Sequence, residues 1–420
     1  ENTTSTSSTD QVDFQTHQGD VPSAMSLEQL SEPTTNDPNL NERIREAQYS
    51  YSPDRLDQLA NDPHYLVREA VALNSRTRSD TLDRLSRDTV SSVRERVARN
   101  HNTRSLTLHT LARDPDERVR KNVANHQNTD DDTLTVLARD HSREVRYLVA
   151  GHPRTPTDAL IILASDYDLS IRRHIAERSN LPRQVLSILA NDNYAEIREK
   201  IAHRNDLPDD AINSLAGDKE VSIRRLIAEK DRLPLSALRT LANDVDLGIR
   251  QTIVRRSDLP SDVLMTLASD RDNSIRESIA QKSNLPPEVL RTLASDRAES
   301  VRLIVASKKE LPDDVVLTLA SDEKLQVRQK IAERSSLPDR ALKLLAQDAD
   351  ESIRRTIANR SDLPPEAIRI MAQDKSDTIR EVIAKKATLP NDVIELLAKD
   401  ENLGVRLAIS RRSDLSVDVI

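Results

Sequence analysis

One unit is written fourteen times with a constant step of 26 residues, and no insertion or deletion interrupts the count from Asp62 to Asp400. Such strict internal periodicity belongs to repeat architectures, in which each copy cannot bury its apolar face alone and must stack on its neighbours. In the second half the unit reads L-P-x-x-(V/A)-L-x-x-L-A-x-D-x-x-x-x-(I/V)-R-x-x-(I/V)-A-x-(R/K), as in the stretch from Leu259 to Asn284. Within it, Leu259, Leu264, Leu267 and Ala268 share one face at helical spacing, and Ile275, Ile279 and Ala280 form a second such face. Pro260 defines the start of the first helix, and Asp270, an acceptor for free backbone N–H groups, introduces the second. Five glycines in 420 residues and no period-two alternation argue against strands. The expected fold is therefore all-α: a solenoid of fourteen 26-residue two-helix repeats, with small residues such as Ala98, Ala124, Ala150, Ala176 and Ala202 where helices approach closely.

The L-A-x-D, V-R-x-x-V-A and L-P elements resemble those of the leucine-rich repeat variant family, over residues 50 to 420. The resemblance implies a right-handed superhelix in which an α-helix alternates with a shorter, partly 3₁₀ helix. The family pattern can include a cysteine-bound iron–sulfur cluster. This chain has no cysteine, so the cluster is not carried over and no cofactor is expected.

Three segments are expected: an acidic, Ser/Thr-rich tail at 1–25, a degenerate N-terminal cap at 26–50 in which Asn41 to Gln48 form a covering helix, and the solenoid at 51–420. Residues 1–42 hold eight acids and no Lys or Arg, which accounts for the whole net charge of −8 and leaves the repeats neutral. The chain opens on Glu1, which suggests removal of an upstream segment, in a cytoplasmic or exported protein; no apolar run is long enough to span a bilayer. It ends at Ile420, halfway through a first helix, so an open apolar end and head-to-tail self-association are expected there.

Arginine stands six residues after the aspartate in every row, from Arg68 to Arg406. A catalytic pair is needed once, so a pair in all rows reads as architecture. Twelve residues after the aspartate the early rows carry Asn74, Asn100, His126 and His152, and the later ones Arg178, Arg204, Lys230, Arg256, Lys282, Lys308, Arg334, Arg360, Lys386 and Arg412. This basic edge and Phe14, the single phenylalanine, in the acidic segment, are the candidate binding residues. His126 and His152 stand one repeat apart, too far to share a zinc ion. No nucleophile–base arrangement, glycine-rich phosphate loop or HExxH element is present, which reads against an enzyme. Nucleic acid is disfavoured because one base per repeat is sparse beside duplex phosphate spacing, Asp206, Asp258 and Asp362 sit beside the bases, and stacking aromatics are missing. The expected role is a non-catalytic scaffold or structural subunit, with a protein partner or a second copy as its ligand.

Overall fold

The computed structural model describes residues 37–413, and among them the chain forms twenty-nine α-helices and no strand, from α1 (Leu40–Tyr49) to α29 (Leu403–Ser410). Helices of seven to ten residues are marginal in water by themselves, so their stability comes from the faces they bury. In α18 (Ser261–Ala268) and α19 (Asn273–Gln281), Val263, Leu267, Ile275, Ile279 and Ala280 are at most 1% exposed. Each full burial of a Leu or Ile side chain contributes about 1.5–3 kcal/mol. The buried residues recur at the same register in neighbouring repeats, which makes each unit described below a helical-repeat solenoid.

Three local details depart from the expectations. Both members of each pair are α-helical; among the described residues 3₁₀-type bonds occur at helix ends, such as Asp88 N–H to the Leu85 carbonyl at 3.1 Å after a first helix and Arg256 N–H to the Ile253 carbonyl at 3.0 Å after a second. The repeated aspartate does not cap the second helix. Its Oδ1 accepts the N–H two residues on, as Asp270 does from Asp272 at 2.8 Å, and that next residue is the cap, with Asp272 accepting from Ser274 N–H at 2.9 Å. The aspartate thus fixes the turn, and both of its oxygens remain able to accept from a further donor. Pro260 likewise precedes the helix as its cap, in extended backbone, and its carbonyl accepts the first helical N–H, from Leu264, at 2.9 Å.

The chain divides into two compact units at Pro156/Thr157. In the first, α1, α3 (Tyr65–Leu73), α5 (Ser91–Arg99), α7 (Glu117–Ala124) and α9 (Arg143–Gly151) pack side by side, with Ala72, Ala98, Ala124 and Ala150 fully buried. The other rank, α2 (Pro53–Leu59), α4 (Ser79–Leu85), α6 (Ser105–Leu111) and α8 (Asp131–Leu137), is looser and is bridged by side chains. Thr81 Oγ1 donates to Asp57 at 2.6 Å, Thr107 to Asp83, and Thr133 Oγ1 lies 2.8 Å from His109 Nδ1. Buried Thr77, Thr103 and Thr129 each donate, at 2.6 Å, to a valine carbonyl in the last turn of the helix before them. In the second unit, which begins with α10 (Thr157–Ala164), Leu-Pro takes the place of this threonine from Leu181 onward, and prolines from Pro182 to Pro390 cap the first helices.

Candidate functional site

The most organised polar groups are rungs that tie each repeat to the next. Arg224 Nε and Nη2 bond both oxygens of Asp244, at 2.6 and 2.9 Å, while Nη1 reaches the Asp218 carbonyl at 2.8 Å. The carboxylate partner is therefore the aspartate twenty residues on, in the following repeat, and the arginine's own-row aspartate contributes only its backbone oxygen. The same fork recurs from Arg68–Asp88 to Arg120–Asp140 in the first unit and from Arg172–Asp192 to Arg380–Asp400 in the second, at 2.6–2.7 Å. Arg43 of α1 makes the equivalent contact to Asp62 at 2.7 Å.

These pairs are shielded from water: the Arg224 and Asp244 side chains are 10% and 4% exposed. The hydrogen bond that Arg224 donates to Asp244 raises the arginine's pKa against the opposing effect of burial. Burial alone would raise that of Asp244, but the Arg224 hydrogen bond, the Asp246 amide and the Arg224 charge outweigh it and hold the carboxyl below its ordinary range.

The basic register proves to be a second ladder. Lys230 Nζ donates to the Arg204 carbonyl at 2.7 Å, Arg256 Nη1 to that of Lys230 at 2.7 Å, and Lys282 Nζ to that of Arg256 at 2.6 Å. Arg204 donates in the same way to the Arg178 carbonyl, and Lys308, Arg334, Arg360, Lys386 and Arg412 each to the carbonyl of the preceding member. Those carbonyls lie at the C-terminal ends of the second helices, where backbone oxygens lack helical partners and the dipole favours a cation. Asp206, Asp258 and Asp362 hold Arg204, Arg256 and Arg360 through both carboxylate oxygens. Burial lowers the pKa of Arg178, Lys230, Lys282, Lys308, Arg334 and Lys386.

Sequence reasoning missed this carbonyl-donor role, yet the first unit carries the signal. Asn100 Nδ2 donates to the Asn74 carbonyl at 3.0 Å, and His126 Nε2 meets the Asn100 carbonyl at 2.9 Å, so neutral side chains at this register do the same work. Phe14 lies outside the described residues.

His126 and His152 each use both ring nitrogens on backbone: His126 Nδ1 accepts from Asn128 N–H at 3.0 Å, and His152 Nδ1 from Arg154 N–H at 3.2 Å. Burial lowers the pKa of His126, with the Asn100 carbonyl opposing and His101 adding to the shift. Folding thus favours the neutral ring. Its contribution is full above the unfolded value of about 6.5 and falls as pH drops from there toward the folded pKa. His126→Asn, which copies the donor at Asn74 and Asn100, is expected to flatten the dependence of first-unit stability on pH between about 7 and 5. Thermal melts of the two proteins across that range check this, and parallel profiles would reject it.

A cleft of about 430 Å³ in the second unit is lined by Arg183, His203, Asp209, Lys230, Asp231 and Arg232 over Leu207, Ile212 and Leu226. Its lining contains no Ser, Thr or Cys, Lys230 is engaged on the Arg204 carbonyl, and Arg232 lies 4.0 Å from Asp209. Among the described residues no three His, Asp or Glu side chains cluster as metal ligands, and no helix is long and apolar enough to cross a membrane.

No family model and no curated protein matches the chain. Among solved structures it is similar to a leucine-rich repeat variant with a novel repetitive structural motif, at 26% identity over 53% of this chain and 88% of that one, with a TM-score of 0.31. It is also similar to an engineered protein (16% identity, 88% of this chain and 97% of that one, TM-score 0.18). A third similarity is to a chain of the Pds5–Scc1 complex (11% identity, 93% and 68%, TM-score 0.23). At TM-scores this low none of them bears on function. On its own residues, the chain is an all-α helical-repeat protein whose buried charges join successive repeats.

Proposed function

We propose that this protein is a non-catalytic interaction scaffold, built as a leucine-rich-repeat-variant-like solenoid with α1 serving as its N-terminal cap, that presents several successive repeats to a protein partner. The observation that carries the reading is the Asp–Arg fork: it repeats in row after row, so the groups that elsewhere mark catalysis through burial and charge are here assigned to holding repeats in register. Nucleic acid is the weaker reading, because the cations of the basic register bond backbone carbonyls rather than standing clear for phosphate.

Cross-linking followed by hydrogen–deuterium exchange with the captured protein tests the proposal. Protection is expected at equivalent surface positions of at least three consecutive repeats. Protection limited to a single cleft, or turnover of a small molecule abolished by changes in one row, would contradict the scaffold reading.

A further inference from the structure

On the outward face of the first helices in the second unit, one register runs from apolar (Ile162, Ile188) through Ser214 and a series of threonines and back to apolar near the C-terminal end. At the register of Thr240, Thr266, Thr292 and Thr318, whose hydroxyls bond the carbonyl one turn back, the last three described repeats carry Leu344, Ile370 and Leu396. These stand on α24 (Asp339–Leu345), α26 (Pro365–Met371) and α28 (Asn391–Ala398), with Leu344 and Leu396 40% and 42% exposed and Ile370 half-buried. Ion pairs from Lys343 to Glu366 and from Arg369 to Asp392 join α24 to α26 and α26 to α28, so the three side chains line up at one register as an apolar ridge.

Charge on the same face is reversed at the two ends of the ridge. Where a base stands at this register it pairs with an acid in the first turn of the next first helix, as in Arg239–Asp262 at 2.6 Å, Lys343–Glu366, and Arg369–Asp392 at 2.7 Å, whereas Asn213 and Met265 stand in the base position of other repeats. Arg340 occupies the acid position on α24, and the residue facing it in the preceding repeat's base position is Leu317. Glu395 occupies the base position on α28. Both are exposed, and neither makes an ion pair among the described residues.

We propose that this face is a two-fold, self-complementary docking surface for a second copy of the same chain. A two-fold axis running parallel to the helices through Ile370 sets α24 of one copy against α28 of the other. Ile370 then meets Ile370, Leu344 meets Leu396, and Arg340 comes within reach of Glu395, with each contact made twice. The apolar ridge supplies the burial, and the reversed charges at its ends select this pairing over a shifted one. The patch spans three short helices, which fits a modest, concentration-dependent dimer. The surface is lateral and is independent of the partner-binding reading above.

Sedimentation of the full chain over a concentration series tests the proposal. A monomer–dimer equilibrium is expected. Leu344→Thr/Ile370→Thr/Leu396→Thr, which copies the residue at Thr240, Thr266, Thr292 and Thr318, weakens it, and Arg340→Glu or Glu395→Arg alone weakens it by about tenfold, because each reversal turns two attractions into repulsions. Arg340→Glu/Glu395→Arg together bring association back toward that of the parent chain. The charge swap does not depend on the triple variant folding. A chain that stays monomeric, assembles beyond a dimer, ignores the ridge substitutions, or is not rescued by the double reversal overturns the proposal.

Discussion

Replacing Asp244 by alanine is expected to lower the stability of the second unit by about 3–5 kcal/mol, because it strands a shielded guanidinium. Arg224 donates two hydrogen bonds to that carboxylate and is 10% exposed, so without it the cation keeps only its bonds to the Asp218 and Lys219 carbonyls. The turn that Asp244 organises through the Asp246 N–H is loosened as well. Arg224→Ala should cost a similar amount for the converse reason, and the double variant should cost clearly less than the sum of the two. Asp244→Asn keeps an acceptor for the turn and should fall between. Because a solenoid transmits stability from neighbour to neighbour, hydrogen exchange should rise first in α16 (Leu235–Ala242) and α17 (Leu247–Val254). Denaturant melts that show additive single-variant effects would remove the fork as the cause.

Much of this architecture was legible because the physical demand on each repeat is local and identical. Leu264, Leu267, Ile275 and Ile279 lie at helical spacing, and all four are buried. The recurrence of Asp and Arg in every row marked them as structural before any geometry was known. Their pairing was not legible. Row by row, Asp244 and Arg250 are six residues apart and look like partners, but Arg250 uses the Asp244 backbone oxygen and gives its fork to Asp270. Only the stacking of successive repeats brings residues twenty apart face to face.

The basic register was harder to read for a related reason. A column of Lys and Arg in a loop looks like an edge offered to an anion, since sequence records side-chain charge and is silent about unsatisfied backbone carbonyls. Asn74 and Asn100 at the head of the same column were the available clue, as amides have no charge to offer but donate to carbonyls equally well. In the sequence, 51–420 reads as one solenoid; the division at Pro156/Thr157 falls where the threonines at 77, 103, 129 and 155 give way to Leu-Pro from Leu181.

Acid should dismantle the second unit over a narrow range. Asp218 and Asp244 are buried, which by itself would raise their pKa values. Hydrogen bonds from Arg198 and Arg224, the amides of Glu220 and Asp246, and the arginine charges reverse the sign and hold both below 3.8. Asp400 is lowered chiefly by its hydrogen bond from Arg380. For groups depressed in the folded state, the stabilisation is present above the unfolded pKa and is lost as pH falls through the folded values. Melting temperature is therefore expected to hold steady down to about pH 4 and to drop steeply below it. Each protonation removes an anion from a rung and leaves its arginine shielded without a counter-charge, so losses in adjacent rungs reinforce one another. Salt should soften the drop only weakly, since these pairs are largely closed to water. A profile in which melting temperature already falls between about pH 7 and 5 in the second unit, or stays flat to about pH 2, would show that the Asp–Arg forks do not carry its stability.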